Sequence, residues 1–187
     1  MPRYYTVDRS GGLSPDAEVS CNTDFTACRF FPIQDHFTRA DLENITRQLF
    51  PAGLTNHGKK YLLDEYLIIK TQQGSAPYVP HIPMIELISE LVRRTFFSEN
   101  PSRLSALFAW VTFDEAVTFQ QQHGVGTIYE VEADAFFQAD MNLLFLGGSG
   151  IGALLFAMKY WRGESSPTPR WEYLLVPPIR VVGVASS

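Results

Sequence analysis

Apolar and polar residues recur along this chain at two periods, and the change from one to the other marks the elements. The run Arg-Tyr-Tyr-Thr-Val at 3–7 predicts a short strand, closed by Ser10-Gly11-Gly12. Residues 13–35 are rich in Asp, Ser, Thr and Pro and predict loops with one short strand. From Asp41 to Phe50 the apolar residues Leu42, Ile45, Leu49 and Phe50 fall at helical spacing, with Thr38 as N-cap candidate and Pro51 as the stop. Gly53 to Leu63 reads as a glycine-punctuated turn running into the apolar end of a strand, and 70–81 as an exposed loop. A helix from Pro83 sets Met84, Leu87, Ile88, Leu91 and Val92 in one apolar stripe.

The second half is more regular. Leu104 to Val111 predicts a strand, and a helix follows from Asp114 to about Gln122, opened by two acids that suit the positive end of its dipole. Thr127 to Glu132 alternates as a strand, and Gly150 to Trp161 predicts an apolar helix. Strands outnumber long helices and no βαβ repeat occurs, so the expected class is α+β. The glycine-rich run Gly147-Gly148-Ser149-Gly150-Ile151-Gly152 has neither a phosphate-loop lysine nor a βαβ opening, and reads as a hinge before its helix.

Composition narrows the classes. With 187 residues and 45% hydrophobic content, one well-buried domain over 1–187 is expected. A net charge of −5 argues against a surface that grips nucleic acid throughout, while leaving room for a local basic patch. The two cysteines, Cys21 and Cys28, are too few for a disulfide framework, and the four histidines lack ligand spacing, so no metal is expected. The opening residues show no charged-then-apolar leader, and no apolar run approaches the roughly 18 residues of a membrane span. A cytoplasmic protein without a membrane partner is the expectation.

The densest chemical information lies in Arg170-Trp171-Glu172-Tyr173-Leu174-Leu175-Val176-Pro177-Pro178-Ile179-Arg180-Val181-Val182. It reads as a strand, a tight Pro-Pro corner and a second strand, with one carboxylate at the mouth of the first. Burying Glu172 is costly unless it is paired or put to use; a strand-edge Glu facing water is the plain alternative.

Several segments together resemble the ADP-ribosyltransferase superfamily, and the bacterial rifampin ADP-ribosyltransferases within it. Glu172-Tyr173 followed by apolar residues, a short break and an Arg-Val strand is similar to the catalytic-glutamate strand of that fold. Ile128-Tyr129-Glu130-Val131-Glu132 with Asp140-Met141-Asn142-Leu143 resembles an Ile-Tyr-x-Val-Glu strand followed by an Asp-Pro-Asn-Leu segment. Pro178-Ile179-Arg180-Val181-Val182-Gly183-Val184 resembles the closing strand. The likeness covers about half the chain, in the right order, through short motifs.

The resemblance implies a split β-sheet core with flanking helices and NAD as substrate. It implies a mono-ADP-ribosyltransferase, of the kind found among bacterial or phage toxins and effectors, with a protein, nucleic acid or small molecule as acceptor. A NAD glycohydrolase and a catalytically inactive binding module of the same fold are the alternatives. Glu172 would steady the oxocarbenium-like ribose, with Asp140 as second acid; a cap is the other reading of Asp140. Arg3 and Tyr5 on the first strand would hold the dinucleotide. Ser105, Phe108 and Trp110 would line the nicotinamide side, with Tyr61 of Gly58-Lys59-Lys60-Tyr61 as a rival for that place. Ordinary core packing is the competing reading of the aromatic residues; His57, beside Tyr61, reads as a binding group or as a loop histidine with local hydrogen bonds. Arg170, two residues before Glu172 where arginine-directed members keep an acid, would disfavour an arginine acceptor.

Overall fold

The computed structural model describes residues 2–28, 38–64, 67–71, 74–78, 81–124 and 126–186. The architecture is α+β, built on antiparallel pairing throughout. Nine strands are described: β1 (Arg3–Asp8), β2 (Glu18–Val19), β3 (Leu67–Thr71), β4 (Gly74–Tyr78), β5 (Leu107–Ala109), β6 (Thr127–Glu132), β7 (Phe136–Asp140), β8 (Trp171–Leu175) and β9 (Ile179–Val184). They form a four-stranded sheet in the order β1-β6-β9-β2, a three-stranded sheet β5-β8-β7 and a hairpin β3-β4. The helices are α1 (Arg39–Leu49), α2 (Asn56–Lys59), α3 (His81–Phe96), α4 (Phe113–His123) and α5 (Gly150–Trp161).

The two larger sheets meet where the backbones of Tyr5 and Trp110 exchange two hydrogen bonds of 2.8 Å. They are also tied by the chain itself, since β8 passes into β9 through the cis Pro177–Pro178 corner. Period-two alternation explains the first strand: Tyr4 and Thr6 are buried while Arg3 faces out. Tyr4, Val131, Leu175, Ile179 and Val181 fill the core over the larger sheet. Val92, Ala139, Ala157, Trp161 and Leu174 fill the core between the smaller sheet and the pair α3–α5. Phe25, Phe50, Leu54 and Leu104 make a third cluster beside α1 and α2.

Side-chain caps set several boundaries. Thr38 accepts from the Asp41 N–H while Asp41 accepts from Thr38, closing a capping box, and Thr112 with Glu115 does the same for α4.

Four expectations need correction. The stretch 104–111 is not one strand: 103–105 coils into a 3₁₀ turn capped by Ser102, and only Leu107–Ala109 pairs. Gly53–Leu63 forms α2 and, from Lys60, a π-helical turn to Asp64. Its close packing requires glycine: a Cβ on Gly58 would lie 2.0 Å from the Leu104 carbonyl oxygen. Within 70–81, backbone pairing makes the hairpin β3–β4, and α3 starts at His81; residues 72–73 and 79–80 lie outside the described set.

The fourth correction concerns α3. The apolar stripe is real but largely faces outward: Met84, Leu87 and Leu91 are exposed, whereas Glu86, Ser89 and Glu90 are buried. The helix is turned by its acids, because Glu90 gathers Arg93, Arg94 and Ser102 and Glu86 meets Arg103.

Candidate functional site

A charge taken into a protein interior loses several kcal/mol of hydration and stays only where opposite charge and hydrogen bonds replace the water. Three ionisable side chains meet that condition at one place, between α3, α5 and the smaller sheet. Arg103, at the start of the 3₁₀ turn, is 4% exposed. Its Nε and Nη2 donate to the two oxygens of Glu86 on α3, at 2.9 Å each, in a bidentate fork. Its Nη1 donates to Oε1 of Glu172, the second residue of β8, and to the Tyr160 hydroxyl near the end of α5. That hydroxyl donates in turn to Glu172 Oε1 at 2.7 Å.

An aromatic wall stands beside this network. The Arg103 guanidinium carbon lies 4.5 Å from the Phe108 ring centre. The His57 ring packs 4.2 Å from Phe108 and 4.6 Å from Tyr61, centre to centre. His57 Nε2 is 3.5 Å from Glu86 Oε1 but forms no hydrogen bond. Glu172 Oε2 likewise receives no hydrogen bond from a described residue, while Oε1 takes two.

The electrostatics follow from the geometry. Burial works against the Arg103 charge, but Glu172 and Glu86 outweigh it and hold the guanidinium firmly protonated. Burial also works against the Glu86 charge, but the Arg103 guanidinium keeps its carboxyl far below the usual carboxylate range. Desolvation pushes the His57 imidazole down despite Glu86, so it is neutral at pH 7. Burial raises the Tyr160 hydroxyl well above its ordinary value, with the Glu172 charge adding to the rise. The cluster therefore joins the Glu86 carboxylate and the Arg103 guanidinium to the Glu172 side chain, a neutral phenol and a neutral imidazole whose Nε2 has no hydrogen-bond partner.

The residues singled out from sequence fall into separate places. Glu172, Phe108 and Tyr61 come together in this cluster. Arg3 is mostly exposed and pairs with Glu130 at 2.7 Å and Glu132 at 3.3 Å on the neighbouring strand. Tyr5 meets Phe113 edge-on at 5.8 Å, and Trp110 is buried against Phe119 at 4.4 Å, in a core of its own with Ala116 and Ile128. Phe108 and Trp110 thus enter different clusters, because β5 ends at Ala109. The Ser105 hydroxyl donates to the Gly53 carbonyl.

Asp140 is fully buried and behaves as a cap. It accepts the backbone N–H groups of Asn142 (3.0 Å), Ser166 (2.7 Å) and Arg170 (2.8 Å), fastening the loop before β8. Register separates it from Glu172: Ala139 pairs with Glu172 and Asp140 with Trp171, so the two acids point to opposite faces of the sheet. Arg170 is exposed and donates to the Gln122 side chain at 2.8 Å. Like-charge repulsion near Glu172 therefore gives no ground for excluding an arginine acceptor.

Glu86, Arg103 and Tyr160 were not picked out from sequence. Their signal was available: Glu86 interrupts the apolar run Ile82–Ile88, and Arg103 stands at the head of another. Isolated charges in apolar runs must find each other when buried. Among the described residues, no group of three or more His, Cys, Asp or Glu is arranged to hold a metal ion. No helix is long and apolar enough to cross a membrane among those residues.

A family model described as a protein of unknown function (DUF2441) matches residues 17–186. No curated protein matches the chain.

Proposed function

The chain belongs to the DUF2441 family, and from its own residues we propose that it is a NAD-using mono-ADP-ribosyltransferase with an ADP-ribosyltransferase-like core. The observation that carries the proposal is the setting of Glu172. It is a buried acid on the middle strand of the smaller sheet, held through one oxygen by Arg103 and Tyr160, its other oxygen taking no hydrogen bond from a described residue, while Arg103 itself lies against Phe108 of the Phe108–His57–Tyr61 wall.

Cleavage of the nicotinamide–ribose bond passes through an oxocarbenium-like state. A fixed carboxylate near the ribose stabilises that charge and accepts from the 2′-hydroxyl; nicotinamide leaves with the bonding pair, and an acceptor nucleophile takes the anomeric carbon. Glu172 is the carboxylate in this reading, and the Phe108 and Tyr61 rings are the faces for nicotinamide. Arg3 and Tyr5 serve the dinucleotide only if Arg3 releases Glu130. Asp140, taken up by three backbone N–H groups, is left out of the chemistry, and the acceptor is left open.

Incubation with labelled NAD tests the proposal. Nicotinamide release and label transfer are expected, and Glu172→Gln should lower turnover on the order of 100-fold or more while NAD still binds. Release without any acceptor would instead identify a NAD glycohydrolase. Full activity in the variant would remove Glu172 from the chemistry.

One observation favours a second reading, a catalytically inactive binding module of the same fold: the Glu172 side chain is 2% exposed and its charge is already matched by Arg103. Calorimetry separates the two. Absence of NAD binding at millimolar concentration would overturn the enzyme proposal and leave the module.

A further inference from the structure

The inverted helix α3 lies along α5, joined to it where the Trp161 indole N–H donates to the Ser89 carbonyl at 2.8 Å. With its acids turned inward, α3 presents Met84, Leu87 and Leu91 on the outward side of this helix pair. On α5 the residues Ile151, Leu154 and Leu155 stand between 45% and 76% exposed. A helix apolar on nearly every side belongs in an interior, yet α5 buries only Ala153, Ala157, Tyr160 and Trp161.

With 39% to 76% of each residue exposed, these six side chains offer on the order of 550 Å² of largely apolar surface. That stands at the top of the roughly 300–600 Å² of the largest patch on an ordinary monomer. With a polar rim added, it approaches the about 800 Å² that each partner gives to a stable interface.

We propose that the outward face of α3 and α5 is the interface of a two-fold symmetric homodimer. The area approaches that of a standard isologous contact, and an apolar face free of committed charge is complementary to its own copy. Lipid is a poorer occupant, because an interfacial helix needs free cations at its rim. Here Arg93 and Arg94 are bound to Glu90, Lys159 lies 3.7 Å from Glu164, and the chain carries a net charge of −5.

Sedimentation equilibrium of the full chain tests this. The expected species is about 42 kDa, twice the 21.1 kDa chain. Leu87→Glu and Leu154→Glu each alter an already exposed position, so melting of the dilute protein should be unchanged. Because the symmetry places each substitution twice in the contact, the dissociation constant should rise at least about 100-fold. Val184→Glu, at an exposed position on β9, should leave the dimer intact. A wild-type monomer at about 100 µM would overturn the proposal, as would a dimer that survives both glutamates or growth into larger species. A monomer that pellets with phosphatidylcholine vesicles would assign the face to lipid instead.

Discussion

Replacing Arg103 by methionine removes the cation shared by two buried carboxylates while keeping most of the side-chain volume. Glu86 loses its bidentate partner and Glu172 its ion pair, and both side chains are at most 6% exposed. Taking one partner from a buried pair costs about 3–5 kcal/mol, because a naked charge is left behind. One guanidinium serves two acids here, so the upper end is expected. At about 2–4 °C per kcal/mol for a domain of this size, the melting temperature should fall by roughly 10–20 °C at pH 7.

The pH dependence gives the diagnostic sign. In the wild type the Glu86 carboxyl is depressed, so its contribution is present above the unfolded value of about 4.3 and is lost as pH falls through the folded value. In Arg103→Met, burial is no longer outweighed and the folded value should rise above the unfolded one. The variant then loses stability as pH rises, and recovers as the acids protonate. The gap between the two proteins should therefore narrow from pH 7 towards pH 4.5, measured by calorimetric melting. Adding Glu86→Gln and Glu172→Gln to Arg103→Met should restore part of the loss by removing the orphaned charges. A gap below about 3 °C at pH 7, or one that does not narrow in acid, would refute the reasoning.

Two further predictions use other sites. Asp140→Asn should cost about 1–3 kcal/mol in denaturant titration by weakening the three backbone bonds it accepts, with faster hydrogen exchange at Ser166 and Arg170. Burial opposes the Asp140 charge, but Ser166, Arg170 and Asn142 hold its carboxyl low; the wild-type advantage should thus be present above about pH 3.9 and fade in stronger acid. Gly58→Ala should lower stability by about 1–3 kcal/mol, because the new Cβ meets the Leu104 carbonyl; helix propensity alone predicts a gain of about 1 kcal/mol, so the sign of the melting shift decides.

Elements with a period of their own were readable from sequence. The helix at Gly150–Trp161 and the strand at Thr127–Glu132 match their expected bounds, and Thr38 caps the first helix as its residue type suggests. Elements defined by what they touch were not. The 103–105 turn coils where the pattern promised strand, under a residue that serves Glu86 and Glu172 at once. On α3 the stripe was visible but its direction was not, since the inward face is chosen by Arg103 and Ser102, both beyond the helix.

The site divides in the same way. Glu172 drew attention as an acid that a strand cannot bury unaided, a local fact. Its partners stand 69 and 12 positions away, and Glu86 lies a further 17 before Arg103. Such pairing is decided by topology. Tyr61 and Phe108, drawn from rival motifs, turned out to be two walls of one cluster joined by His57.

The position of the last two strands bears on how the chain acquires its shape during synthesis. β8 is the middle strand of the smaller sheet, and β9 lies between β6 and β2 in the larger one. Until residues 171–184 are made, β5 and β7 lack their common neighbour, β2 lacks the strand it pairs with, and Arg103 lacks its second acid. A nascent chain stopped at residue 165 should thus leave β2, β5 and β7 unpaired and open to protease, and translation past Val184 should close both sheets.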